Sequence, residues 1–168
     1  MIWGRRWRWG YVAAAAMAWL AMIAMVSPAA AQGGGIIYVD QDAEKGGDGT
    51  SWDKAYQDLR TALALRANQT EIWVAEGTYT PTPGDSRLES FELQNGLALY
   101  GGFDGTETAR DQRDPQANPT ILSGEIGYEI ADDNSIHVIC IGSDIDESAV
   151  LDGFTISDGW AGGSDGTV

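Results

Sequence analysis

Glu71-Ile72-Trp73-Val74-Ala75-Glu76-Gly77-Thr78-Tyr79 is the stretch that decides how this chain reads. Its first five residues are a short apolar run rich in β-branched and aromatic side chains, the composition of a strand. Glu76-Gly77 then turns the chain. The same unit, a short apolar run closed by a glycine-containing corner, recurs on either side. Upstream stands Ile36-Ile37-Tyr38-Val39. Downstream come Ser90 to Leu93, Leu97 to Tyr100 closed by Gly101-Gly102, and Thr120 to Leu122 closed by Ser123-Gly124. Ile136 to Ile141 and Ala149 to Leu151 come next, and Asp152-Gly153 separates the latter from Phe154-Thr155-Ile156. Runs centred on Trp73, Leu99 and Leu122 are 26 and 23 residues apart, after which the spacing becomes irregular. Strand-plus-turn units at such periods point to a solenoid or a propeller.

One segment breaks the strand pattern. From Thr50, with Asp53 three residues on, the spacing is that of a helix-capping box. Trp52, Ala55, Tyr56, Leu59, Ala62, Leu63 and Arg66 are related by offsets of three and four, one apolar stripe. The spacing predicts a helix over 51–67, placed to cover the N-terminal end of a stack that cannot bury its own first face.

These residues carry a resemblance. Ile37-Tyr38-Val39-Asp40, Gly49-Thr50-Ser51-Trp52 opening the helix, and the 71–79 stretch resemble the start of bacterial secreted proteins of the pectin-lyase-like superfamily. Leu99-Tyr100-Gly101-Gly102-Phe103, Asn118 to Gly124 and Val150 to Ile156 fit the same group. The resemblance implies an all-β fold, a right-handed parallel β-helix (solenoid), with the first few coils and an N-terminal capping α-helix in residues 32–168. The chain stops at Gly162 to Val168 after a strand, with no capping element. That predicts a truncated solenoid whose open strand edges pair edge to edge with other copies.

Residues 1–31 read as a secretory signal peptide. Arg5, Arg6 and Arg8 precede an uncharged run from Tyr11 to Val26, and Ala29-Ala30-Ala31 supplies the small residues of a cleavage site. The implied location is secreted, extracellular or the outer cell surface, with no membrane span once the leader is removed. The whole chain has 168 residues, 22 of them Gly, and a net charge of −15. Without the leader, seven Lys and Arg stand against 25 Asp and Glu, a balance of −18. Nucleic acid, which demands a basic surface, is excluded as a partner. A single Cys excludes an internal disulfide framework and a multi-cysteine zinc site.

The chemistry-bearing residues are few. Asp40, Asp42 and Asp48 in a glycine-rich loop, and Asp144 with Asp146, are calcium candidates, because calcium takes carboxylate and carbonyl oxygens and extracellular modules bind it weakly. Neither set matches a complete calcium-loop pattern. Asp132-Asp133 is an adjacent carboxylate pair, but neighbours on a strand face opposite ways and cooperate poorly as acid and base. His137, the only imidazole, and Cys140 in an apolar run read as structural residues. Asn68-Gln69-Thr70 fits the glycosylation pattern. Trp73 and Tyr79 have rings that stack on sugars, though Trp73 reads as a packing residue. Arg110 and Arg113 flank Asp111 and Asp114, which suggests local ion pairs.

The expected function is therefore a secreted or surface scaffold for adhesion or carbohydrate binding, with a polysaccharide or cell-surface glycan as partner and no catalytic group assigned. The alternative is the N-terminal part of a polysaccharide lyase or glycoside hydrolase whose active site lies beyond residue 168.

Overall fold

The computed structural model describes residues 35–65, 70–128 and 131–162. The leader at 1–31 and the Asn68-Gln69 part of the glycosylation pattern lie outside them. Nine strands are present among the described residues: β1 (Ile36–Val39), β2 (Thr70–Ala75), β3 (Gly77–Tyr79), β4 (Phe91–Leu93), β5 (Leu97–Phe103), β6 (Thr120–Ser123), β7 (Ile139–Ile141), β8 (Val150–Asp152) and β9 (Phe154–Ser157). The single α-helix among them is α1 (Leu59–Leu65), and 3-10 turns lie at Trp52–Lys54, Arg110–Gln112 and Ala131–Asp133.

The strands form three sheets in the orders β1-β2-β5-β8, β3-β6-β9 and β4-β7, and every pair is parallel. Parallel partners cannot be joined by a tight hairpin, so each pairing spans a long stretch of chain. Alternate residues face the interior. Val39, Ile72, Val74, Leu97 and Leu99 from the first sheet, Tyr79 and Leu122 from the second, and Phe91 from the third meet Leu59, Ala62 and Leu63 of α1 in one buried cluster. Full burial of a side chain such as Leu122 contributes about 1.5–3 kcal/mol. Thr120 is the polar tie within this packing. Its hydroxyl accepts from the Gly102 amide at 2.9 Å and lies within 3.4 Å of the Val74 and Ala75 carbonyls, joining β2, β5 and β6.

The expected all-β right-handed parallel β-helix is corrected. The described residues form three short, separate sheets beside a helix and three 3-10 turns, with no regular solenoid among them. A solenoid stacks repeats of similar length. Here β2 begins at Thr70, β5 at Leu97 and β8 at Val150, so the second interval is about twice the first. The added length runs as loops and 3-10 turns rather than as strand.

The expected capping helix over 51–67 is corrected as well. Among the described residues of that span, only Leu59–Leu65 is α-helical, and residues 66–67 lie outside them. Between the first 3-10 turn and α1, Tyr56 is drawn into a bridge with Val39: its amide donates to Tyr38 O, and its carbonyl accepts from the Asp40 amide, both at 2.9 Å. Those bonds hold the backbone extended, which no helix tolerates. Asp58 caps the helix that does form, its carboxylate accepting from the Arg60 amide at 2.8 Å and binding the Arg60 guanidinium. The Thr50 hydroxyl instead serves Asp48, and Ser51 makes no capping bond.

β5 contains one irregularity. Its pairing with β2 runs Val74↔Gly101 and then Ala75↔Phe103, so Gly102 is an extra residue. Gly102 has φ +95°, a backbone that favours glycine, and a Cβ there would lie 2.6 Å from Pro115. The bulge re-aims the chain and sets Phe103 on the same side of the sheet as Trp73.

Candidate ligand groove on the four-stranded sheet

The face of the first sheet turned away from the shared core carries a row of residues in register: Tyr38 beside Trp73, Trp73 beside Tyr100, and Tyr100 beside Asp152. Alternation along β2 and β5 requires this, since Ile72, Val74, Leu97 and Leu99 face the other way. A loop after β5 folds back over part of the row. Phe103 stacks on Trp73 with centroids 4.8 Å apart and planes 10° apart, and Trp52 packs on Phe103 and Tyr38 at 5.5 and 4.8 Å. The Trp52 indole N–H donates to Glu107 O at 2.9 Å. The Glu107 carboxylate, 9% exposed, accepts the amides of Asp104, Gly105 and Thr106 at 2.8, 3.2 and 3.1 Å. A charge in this setting is tolerated because backbone donors surround it.

The loop delivers two cations to Tyr100. Gln112 Oε1 accepts the amides of Thr108 and Ala109 at 2.8 and 3.0 Å, fixing the 3-10 turn at Arg110–Gln112. The guanidinium carbons of Arg110 and Arg113 then stand 4.5 and 5.3 Å from the centre of the Tyr100 ring, within cation–π range. Arg110 donates to Glu71 at 3.0 Å. Arg113 donates to Gly101 O at 3.0 Å and pairs with the Asp152 carboxylate. Beside this cluster opens a groove of about 490 Å³, lined by Tyr100, Arg110, Asp111, Arg113, Val150 and Asp152. It offers donors, acceptors and an aromatic ring in one place.

No family model, curated protein or solved structure matches this chain. The likeness to pectin-lyase-like proteins thus rests on sequence motifs alone, and the groove has to be read from its own chemistry.

A second groove, of about 520 Å³, lies between β4 and β7, lined by Glu92, Gln94, Asn95, Cys140, Ile141 and Asp144 among others. Its lining has neither an aromatic ring nor a cation. Asn95 is occupied there in tying down the Asp144–Asp146 turn, donating to Asp144 O at 3.0 Å and accepting from the Asp146 amide at 2.8 Å.

The calcium candidates are placed in turns. Asp40 accepts the Asp42 amide at 2.8 Å. Asp48 accepts the amide and hydroxyl of Thr50 at 3.1 and 2.6 Å, and Asp146 those of Ser148 at 2.9 and 2.5 Å. Asp42, Asp48, Asp144 and Asp146 are exposed or nearly so. Among the described residues, no three His, Cys, Asp or Glu side chains gather to hold a metal ion. Asp132 and Asp133 fall in a 3-10 turn, where Asp133 accepts the Tyr128 amide at 2.8 Å. His137 is exposed, and Cys140 is a half-buried free thiol across from Glu92. Trp73 packs within the aromatic row, and Tyr79 is buried with its hydroxyl bonded to Ala75 O at 3.2 Å. Burial pushes the Tyr79 phenol up.

Sequence reading missed Tyr100, Asp152 and Glu107, and it assigned Arg110 and Arg113 to neighbouring aspartates. Their partners Glu71 and Asp152 are each 39 residues distant. The available signal was the spacing Arg110-x-x-Arg113, which puts both side chains on one side of a tight turn, opposite an outward Tyr100.

Asp104-Gly105-Thr106 repeats the turn of Asp48-Gly49-Thr50 and Asp146-Glu147-Ser148. In all three, the hydroxyl two residues on holds the carboxyl below its ordinary 3.8. A folded value below the unfolded one means these turns stabilise the fold above pH 3.8 and lose that contribution as pH falls through the lowered values. Thr106→Val should return Asp104 toward 3.8 in a carboxyl-detected NMR titration and leave Asp48 and Asp146 unmoved. An unchanged Asp104 midpoint would contradict the assignment.

Proposed function

We propose that this chain is a non-catalytic scaffold, secreted or displayed at the cell surface, that binds carbohydrate for adhesion through the groove at Tyr100. The observation that supports this reading is the composition of the groove. Two guanidiniums supply N–H donors, Asp111 and Asp152 supply acceptors, and Tyr100 adds an aromatic wall. Sugars present both hydroxyl donors and acceptors on an apolar ring, and a shallow site with mixed polar groups around an aromatic residue matches them. Sheet, bulge and the Glu107-pinned loop hold these groups on rigid elements.

The test is calorimetric titration of the full chain with a panel of soluble oligosaccharides. Tyr100→Ala should weaken binding by about tenfold or more, the scale of one lost aromatic and its positioned partners. If the cluster served only to clamp the loop onto the sheet, Tyr100→Ala would lower the melting temperature and leave affinity intact. Absence of binding to every glycan in the panel would overturn the reading.

A further inference from the structure

We infer that the groove at Tyr100 selects neutral, hydroxyl-rich glycans and discriminates against uronates, an inference that rests on carbohydrate being the ligand of this groove. The charge arrangement carries it. Arg110 and Arg113 are the cations in the lining, and each already has a carboxylate partner, Glu71 at 3.0 Å for Arg110 and Asp152 for Arg113. Asp111 adds a further carboxylate to the same rim. Two positive charges therefore face three negative ones.

A uronate entering this site either adds a fourth carboxylate at the free N–H groups of Arg110, where three carboxylates already face two guanidiniums, or exchanges with Glu71 or Asp152. The exchange replaces one carboxylate–guanidinium pair by another, so it gains no attraction, and it leaves the displaced carboxylate unpaired beside the incoming one. The rest of the chain reinforces the repulsion, with 25 Asp and Glu against 10 Lys and Arg. A neutral sugar meets no such penalty. A vicinal hydroxyl pair accepts from a guanidinium N–H and donates to an aspartate oxygen at once, and it does so without breaking either ion pair. Arg110 commits one nitrogen to Glu71 and its side chain is 47% exposed, so its other N–H groups supply that donation.

The experiment compares a neutral hexasaccharide with hexagalacturonate against the full chain, in chelator so that no divalent ion bridges carboxylates. The neutral ligand should bind about tenfold more tightly or better, and its affinity should change less than about twofold between about 50 and 500 mM NaCl, since no net charge is paired. Asp111→Lys should move the affinity ratio toward the uronate by about tenfold, the reversal that charge complementarity predicts. Asp111→Asn, a smaller change, should move it the same way by less, and it serves if the lysine variant does not fold. Equal or tighter binding of hexagalacturonate by the unaltered chain, or a ratio that neither variant moves, overturns this inference while leaving carbohydrate binding in place. No binding of either ligand, or of any other glycan, overturns both.

Discussion

Phe103→Ala is expected to lower the unfolding free energy by about 3–5 kcal/mol, the range for removing a fully buried aromatic ring. Phe103 is 0% exposed, stacked on Trp73 and packed against Trp52. Truncation leaves a cavity between the sheet and the loop that covers it, and neither neighbour can collapse into the gap. Trp52 is held by its bond to Glu107 O and Trp73 by the ladder of β2. Urea denaturation monitored by tryptophan fluorescence measures the loss directly, because Trp52 and Trp73 both touch the ring being removed. Phe103→Leu should recover a good part of it by refilling the space. A loss below about 1.5 kcal/mol for the alanine variant would mean that the loop does not pack as described. The groove should suffer too, since the same loop brings Arg110 and Arg113 to Tyr100.

Gly153→Ala is the second large effect, expected to cost about 3 kcal/mol, because two penalties combine. Gly153 has φ +82°, where a side chain strains the backbone by about 1–2 kcal/mol. A Cβ there would also lie 2.5 Å from Gly101 O and against the Arg113 guanidinium, an overpacking worth about 1–3 kcal/mol. Gly101 and Gly153 face each other at the β5 and β8 edge, and a Cβ on Gly101 would reach within 2.7 Å of Gly153 O. Gly101→Ala lacks the positive φ and should cost less than Gly153→Ala in the same chemical-denaturation assay. Equal costs would show that crowding alone is at work.

How much of the molecule is legible in the sequence depends on how local each feature is. The apolar runs at Ile36, Ile72, Leu97, Thr120 and Val150 marked strands because burial on one face and the glycine corner both lie within a few residues. The helix was overextended because its stripe, from Trp52 to Leu63, is genuine, while the interruption comes from Tyr56 pairing with Val39, a contact across the fold. Asp58, the actual cap, stands off the stripe and within the expected helix, where it reads as one more residue of the polar face. The solenoid failed as an expectation because repeat spacing describes where strands lie and not how much irregular chain separates them. The acidic residues set aside for calcium carried a local signal that was open to reading: Asp with Ser or Thr two residues later is a self-contained turn. The groove was not legible, because Tyr100, Glu71, Arg110, Arg113 and Asp152 come together only once β2, β5 and β8 have paired.

The uniformly parallel ladders also set the tempo at which this chain acquires its structure. Ile37 meets Ile72, Ile72 meets Leu99, and Leu99 meets Leu151. None of these partners can zip outward from a tight turn, so the entropy of closing a loop is spent before the first rung of any sheet rewards it. The aspartate turns and α1 need no such closure. Local structure therefore forms on the way to a slow, concerted search for register, in the millisecond-to-second regime of folds built on distant contacts.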